Sequence, residues 1–86
     1  MEIEYSKDAL KFLMKTQKSY VFAIREAIAG LTKIPPDGDI KTMKGYSDGR
    51  QRLRVGKYRV VYKYISDGKD TMLYIIDMGS RGDIYK

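Results

Sequence analysis

Two segments near the start of the chain carry apolar residues at the three- and four-residue steps of an amphipathic helix. Ser6 is a suitable N-cap for the first, and Pro35 and Pro36 end the second. We predict helices from Ser6 to about Gln17 and from Lys18 to about Ile34. The first apolar stripe consists of Ala9, Leu10, Leu13 and Met14. The second consists of Val21, Ile24, Ile28, Leu31 and Ile34.

The remaining regular patterns predict strands. Residues 1–5 alternate apolar and polar positions, and residues 71–78 are so largely apolar that we expect a central strand. Between residues 50 and 66, two β-rich runs flank Gly56 and Lys57, which is a hairpin signal. Residues 40–49 are basic and irregular, and we predict no strand there. The order β-α-α-β-β-β indicates an α+β fold, in which an αα-hairpin packs on one face of a mainly antiparallel four-stranded sheet.

A two-residue loop beginning with Gly56 favours a type II′ turn, and this turn fixes the strand pairing. The predicted partners are Val55 with Tyr58, Arg54 with Arg59, Arg52 with Val61, and Arg50 with Lys63. Because alternate residues share a side of a strand, the hairpin has two unlike faces. One face carries Arg50, Arg52, Arg54, Arg59 and Lys63. The core face carries Leu53, Val55, Tyr58, Val60, Tyr62 and Tyr64.

Positive charge is concentrated around this hairpin. Residues 41–63 contain eight basic residues and one acidic residue, a net charge of +7, whereas the whole chain carries +6. Such a cluster fits nucleic acid, an anionic membrane or an acidic protein partner. A basic strand face also serves simply to keep sheet edges apart, and the strand pattern alone favours neither explanation. The concentration of charge favours an anionic partner.

The composition excludes several kinds of site. The chain has 86 residues, no cysteine and no histidine. Disulfides and histidine-dependent triads are therefore excluded, a zinc site is not expected, and we predict neither a metal nor a cofactor. No segment has the apolar length of a signal peptide core or a membrane span. We expect a single cytoplasmic domain over residues 1–86, with no membrane partner.

The hairpin RLRVGKYRVVYKY, followed by an apolar strand and the ending GSRGDIYK, resembles the RelE/ParE superfamily of bacterial type II toxins. The resemblance covers nearly the whole chain and is strongest to the RelE branch. It implies a compact α+β domain that cleaves messenger RNA, usually in the ribosomal A site. It also implies an acidic antitoxin, similar to RelB, that folds as it binds the toxin in a hetero-oligomer.

The resemblance assigns roles to individual residues. The predicted catalytic residues are Arg50, Arg52, Arg59, Arg81 and Tyr85. The remaining basic residues of the cluster are predicted to bind RNA: Lys41, Lys44, Arg54, Lys57 and Lys63. RelE has lysines where this chain has Arg50 and Arg52, and arginine does not deprotonate in proteins. Many relatives also have a histidine or lysine where this chain has Ser80, so an acid or base is missing there.

Without histidine, the expected chemistry is attack of a 2′-hydroxyl on the neighbouring phosphate, with arginines stabilising the charge that develops. Tyr85 would orient the nucleophile, act as a base or stack on a base of the RNA, and Arg81 would lie near the leaving oxygen. Alternatively, Tyr85 packs on the sheet, and Arg81 pairs with Asp77 or Asp83. The nuclease hypothesis requires Arg52, Arg59 and Arg81 to converge on one patch.

Two other functions fit the same residues. A ParE-like toxin would inhibit DNA gyrase and cleave nothing. An attenuated relative would bind nucleic acid, or serve as a scaffold, without catalysis. The arginines at positions 59 and 81 and the tyrosine at position 85 favour the nuclease, whereas the missing lysines and Ser80 favour the alternatives.

Overall fold

The computed structural model describes residues 1–80, which form a five-stranded sheet with two helices packed against it. The elements are β1 (Glu2–Tyr5), α1 (Lys7–Lys15), α2 (Lys18–Gly30), β2 (Asp39–Thr42), β3 (Gln51–Val55), β4 (Tyr58–Ser66) and β5 (Thr71–Ser80). The strand order is β1-β5-β4-β3-β2, with β1 parallel to β5 and the other neighbours antiparallel. The predicted α+β class and the central position of the last strand are confirmed.

The prediction of four strands was wrong, because β2 adds a fifth in the segment that we expected to be irregular. Asp39–Thr42 pairs antiparallel with β3, and Ile40 is the Cα partner of Leu53. This edge strand has four residues and only one apolar side chain, so its sequence shows too little alternation to predict it. Its pairing with β3 determines its conformation.

Helix α1 begins as predicted, since the Ser6 Oγ accepts a hydrogen bond from the Ala9 N–H at 3.1 Å. Only half of the apolar stripe predicted for α1 is buried. Ala9 and Leu13 are buried, whereas Leu10 is 46% exposed and Met14 is 84% exposed. Ala9 and Leu13 are four residues apart, so both face the sheet. Leu10 and Met14 each follow one of them and lie about 100° further round the helix, away from the sheet.

Helix α2 buries Ile24 and Ile28, and Leu31 immediately after it is also buried, but the chain leaves the helix before Ile34. The Gly30 carbonyl accepts hydrogen bonds from the N–H groups of Lys33 and Asp37, which turns the chain. Ile34 is therefore 95% exposed, and its predicted place in the core was wrong. Neither helix within residues 1–80 is long and apolar enough to cross a membrane.

The predicted hairpin register between β3 and β4 is confirmed for three of its four pairs. Val55 is opposite Tyr58, Arg54 opposite Arg59, and Arg52 opposite Val61. Gly56 has a φ of +60°, and Lys57 has no positive φ, as the predicted type II′ turn requires. The fourth predicted pair, Arg50 with Lys63, falls beyond the strand, because β3 begins at Gln51.

One core joins the helices to the sheet. It contains Ala9 and Leu13 of α1, Ile24 and Ile28 of α2, Leu31, Leu53 of β3, Tyr58, Val60 and Tyr62 of β4, and Leu73, Ile75 and Met78 of β5. The Tyr64 hydroxyl donates a hydrogen bond to the Leu31 carbonyl at 2.8 Å, which ties β4 to the end of α2. The helices thus cover one face of β3 and β4, and neither α1 nor α2 covers the opposite face.

Candidate nucleic-acid interface

The uncovered face of β3 and β4 brings together the arginines that the sequence pointed to. Leu53 and Val60 face the helices and are buried, so their strand neighbours point to the other side. Arg52, Arg54, Arg59 and Lys63 therefore share the helix-free face, and Arg50 joins them through a contact described below. We call these five residues the basic face. Arg81 and Tyr85 lie outside the described residues.

Asp39, the first residue of β2, is bound between two arginines of β3. The Arg54 Nε donates to the Asp39 Oδ2 at 2.7 Å, and the Arg52 Nη1 lies 3.5 Å from the Asp39 Oδ1. The same Arg52 nitrogen also donates to the Asp39 backbone carbonyl at 3.3 Å. The hydrogen bond from Arg54, together with the positive charges of both arginines, lowers the pKa of Asp39. The carboxylate is therefore firmly ionised at neutral pH.

Asp48, in the loop between β2 and β3, forms a second ion-pair cluster. The Arg50 guanidinium binds it with two parallel hydrogen bonds, Nε to Oδ1 at 3.0 Å and Nη2 to Oδ2 at 2.8 Å. The Lys63 Nζ lies 3.5 Å from the Asp48 Oδ2. The hydrogen bond from Arg50 is the main reason that the pKa of Asp48 is well below its usual range. The Arg50 guanidinium also lies 4.2 Å from the ring centre of Tyr46.

Arg59 differs from its neighbours on the basic face. Within residues 1–80 it forms no ion pair, and its Nη1 donates only to the Tyr58 carbonyl at 3.3 Å. The side chain is half-buried and lies on the same side of the sheet as Arg54. A guanidinium has five N–H donors, and within residues 1–80 most of those of Arg59 have no partner. Among the described residues, Arg59 is thus the best placed to bind an anion.

The lysines predicted to bind RNA do not all lie on this side. Lys41 of β2 is the Cα partner of Arg52 and extends the basic surface, and Lys44 is exposed in the turn after β2. The Lys57 Nζ instead lies 5.2 Å from the ring centre of Tyr20, a residue of α2. Lys57 is therefore directed towards the helices, and the structure does not bring it to the basic face.

Sequence reasoning missed the two carboxylates that bind the arginines. Asp48 is the single acidic residue within the basic cluster, and Asp39 belongs to a segment whose composition predicts a turn-rich loop. The only available signal was the position of Asp48 two residues before Arg50, and Asp39, which is fifteen residues from Arg54, gave none. Within residues 1–80, no group of three or more acidic, cysteine or histidine residues could hold a metal ion.

On the opposite side of the molecule, an apolar groove runs between α1 and α2. Among its apolar residues, Met14 is 84% exposed and Phe22 is 68% exposed, and the partly buried Val21 also lines it. Lys18, Arg25 and Glu26 also line the groove, so its polar border carries two cations and one carboxylate. Exposed large apolar side chains that lie together indicate a surface that binds another protein.

The comparisons with known proteins agree with the arrangement of strands and helices. Residues 3–85 match the family model described as the ParE toxin of the type II toxin–antitoxin system, parDE. The chain belongs to this toxin family. It is therefore a toxin of a type II toxin–antitoxin system, and the predicted membership of the RelE/ParE superfamily is confirmed.

Solved structures share the same fold. The archaeal RelE–RelB complex from Pyrococcus horikoshii contains a chain 26% identical to this toxin, with a TM-score of 0.72, covering 95% of this chain and 96% of that one. The YoeB/ParE toxin from Agrobacterium tumefaciens is 22% identical, with a TM-score of 0.73 and coverage of 94% and 99%. The toxin–antitoxin complex RelBE2 from Mycobacterium tuberculosis contains a chain that is 24% identical, with a TM-score of 0.72, covering 93% of this chain and 96% of that one. No curated protein matches this sequence.

Proposed function

We propose that this toxin is an endoribonuclease that cleaves messenger RNA in the ribosomal A site and so acts in the cytoplasm. The observation that carries the proposal is the common side of Arg52, Arg54 and Arg59 on a sheet face that neither α1 nor α2 covers. Guanidinium groups on two adjacent strands can bind neighbouring phosphate oxygens with paired hydrogen bonds. Arg59 forms no ion pair within residues 1–80, which supports a role for its positive charge in binding RNA.

The proposed reaction needs no metal. The RNA 2′-hydroxyl attacks the adjacent phosphorus, the bond to the 5′-oxygen breaks, and the products carry a 2′,3′-cyclic phosphate and a 5′-hydroxyl. Arg59 would stabilise the negative charge that develops on the phosphorane, with Arg52 beside it. From the family resemblance, Arg81 acts near the leaving oxygen and Tyr85 orients the nucleophile. Arginines do not act as bases here, so alignment of the RNA by the ribosome supplies part of the catalysis.

The proposed partner is an acidic antitoxin that folds as it binds. The basic face would attract such a partner electrostatically. The groove between α1 and α2, in which Met14 and Phe22 are exposed, would bind its apolar side chains. An amphipathic antitoxin helix would place its apolar side in the groove and acidic residues beside Lys18 and Arg25, away from Glu26. If so, replacing Phe22 with Asp would prevent neutralisation by the antitoxin and leave toxicity intact.

The second candidate is inhibition of DNA gyrase without nuclease activity. Two observations favour it. The matching family model is that of the ParE toxin. In addition, Asp39 and Asp48 bind four of the five cations of the basic face, which reduces the positive charge available to RNA.

Adding the purified toxin to translating ribosomes and mapping messenger RNA ends tests the proposal. We expect discrete cuts in the A site, and a loss of rate of about 100-fold or more when Arg59 is replaced by Ala. Arg81→Ala and Tyr85→Ala should also abolish cleavage. Lys57→Ala is the matched control, because this cation of the same hairpin is directed towards the helices, and it should cut at the wild-type rate.

The outcomes separate the candidates. Intact messenger RNA together with inhibited gyrase supercoiling would overturn the nuclease proposal and support the ParE-like activity. If neither messenger RNA nor gyrase is affected while the protein still binds RNA, the chain is an attenuated nucleic-acid-binding relative. If the purified Arg81→Ala and Tyr85→Ala variants cut at wild-type rates, the roles of those two residues are wrong.

A further inference from the structure

We propose that Asp39 and Asp48 occupy two adjacent phosphate-binding subsites on the basic face and compete with RNA for the cations there. The inference rests on the proposed function to the extent that the ligand is single-stranded RNA. In the free protein, each carboxylate lies where one phosphate of the bound RNA strand would lie. Binding of RNA then requires both carboxylates to move aside.

The contacts of Asp39 are those that a phosphodiester would make. Its two carboxylate oxygens meet different arginines, Oδ2 at 2.7 Å from the Arg54 Nε and Oδ1 at 3.5 Å from the Arg52 Nη1. A phosphodiester also presents two non-bridging oxygens, and guanidinium groups bind carboxylate and phosphate with the same geometry. The Arg52 side chain is only 12% exposed, so it is held in a fixed position and the subsite is preformed.

Asp48 marks the second subsite in the same way. Arg50 binds both of its oxygens, and the Lys63 Nζ adds a third contact at 3.5 Å. Arg52 and Arg54 lie two residues apart on β3, a step of roughly 6.5–7 Å, and Arg50 comes immediately before the strand. The two carboxylates therefore contact successive arginines of one short stretch of chain, Asp48 the first and Asp39 the other two. An extended RNA strand following that stretch would meet both subsites in succession.

Both carboxylates can leave without disturbing the core. Asp39 begins an edge strand and its side chain is 47% exposed, whereas Asp48 lies in the loop between β2 and β3. Exposed ion pairs contribute little to stability, since solvent screens them and the side chains lose freedom when they pair. Displacement by a phosphate should therefore be readily reversible. The competition lowers the affinity for isolated RNA and favours substrates that present several phosphates at once.

The test measures binding of a 2′-O-methyl RNA oligonucleotide, which has no free 2′-hydroxyl and cannot be cut. We expect Asp39→Asn and Asp48→Asn each to raise the affinity at least threefold. Each should also steepen the dependence of log K on log salt by up to about 0.7, the increment for one further phosphate neutralised on a single strand. The matched control is Asp37→Asn, which makes the same change of charge two residues before Asp39. Within residues 1–80, the Asp37 carboxylate pairs only with Lys33, at 4.0 Å.

Equal gains in the Asp37→Asn control would show a general effect of net charge and would overturn the proposal, as would wild-type binding by both test variants. Thermal unfolding of each variant checks that it is folded, and either test variant alone suffices if the other does not fold. If the wild type cuts no messenger RNA but the variants still gain affinity, the nuclease proposal fails and the competition stands. If the wild type cuts messenger RNA but the variants gain nothing, the competition is wrong. Failure of every form to bind RNA overturns the competition, and the nuclease proposal fails with it only if messenger RNA on translating ribosomes also stays intact.

Discussion

Arg54 and Arg59 lie directly opposite each other across the antiparallel pair of β3 and β4, although both are positively charged. Like charges at opposite positions of a sheet destabilise it. Asp39 relieves the repulsion on one side only, through its 2.7 Å contact with Arg54. Within residues 1–80 nothing comparable neutralises Arg59, so an anionic ligand bound there would relieve the repulsion.

Replacing Arg59 with Thr should raise the stability of the fold and lower its activity. We expect a gain of about 0.2–1 kcal/mol in the free energy of unfolding, because the repulsion with Arg54 is removed and threonine suits a strand. Urea unfolding measures the gain, and the ribosome assay measures the loss of cleavage. Lys63→Thr is the control on the same strand and face. It removes a cation that contacts Asp48 and should bring no such gain. A less stable Arg59→Thr protein would contradict the prediction.

Gly38 allows β2 to approach β3, and we expect Gly38→Ala to be strongly destabilising. Its φ is +135°, and a Cβ there would lie 2.7 Å from the Leu53 Cδ1. The strained backbone costs roughly 1–3 kcal/mol, and the clash with a buried side chain adds to it. Gly56→Ala is the control, since its φ is +60° but its Cβ would meet no atom within 4 Å. Urea unfolding should show the larger loss at Gly38, and equal losses would mean that the contact with Leu53 is unimportant.

Acid should weaken the fold through Asp39 and Asp48. Both have a lower pKa in the folded chain than the ordinary aspartate value of 3.8. Their ion pairs therefore stabilise the folded state above that value, and the stabilisation is lost as the pH falls towards the folded pKa. In urea unfolding between about pH 5 and pH 2, Asp48→Asn should lose less stability than the wild type. Because the pairs are near the surface, 1 M salt should reduce the difference, and a difference that persists unchanged would contradict this account.

Ser6 connects the start of α1 to β5, and its replacement with Ala should destabilise the fold. The Ser6 Oγ accepts from the Ala9 N–H at 3.1 Å and donates to the Ile76 carbonyl at 2.6 Å. Loss of an N-cap of this kind costs about 1–2 kcal/mol. Ser6→Thr keeps the hydroxyl and should stay within about 0.5 kcal/mol of the wild type in urea unfolding. Similar losses in both variants would show that the hydroxyl is not the cause.

The sequence predicted the parts of the candidate site that depend on local rules. The turn at Gly56 sets which residues of β3 and β4 face each other, and alternation along the strands then sets their sides. For this reason the amino-acid pattern alone was enough to assign Arg52 and Arg59 to one face of the hairpin. The N-cap at Ser6 followed in the same way from a serine before an apolar stripe.

The sequence by itself thus determined the class of fold, the hairpin register and the membership of the toxin superfamily. Tertiary structure alone decided that residues 39–42 pair with β3, that Leu10, Met14 and Ile34 lie outside the core, and that Asp39 binds Arg52 and Arg54. Turns and strand alternation act between residues close in sequence, where a local pattern specifies the contact. Asp39 meets Arg54 across fifteen residues of chain, because the edge strand folds back along β3, and no local pattern specifies that contact.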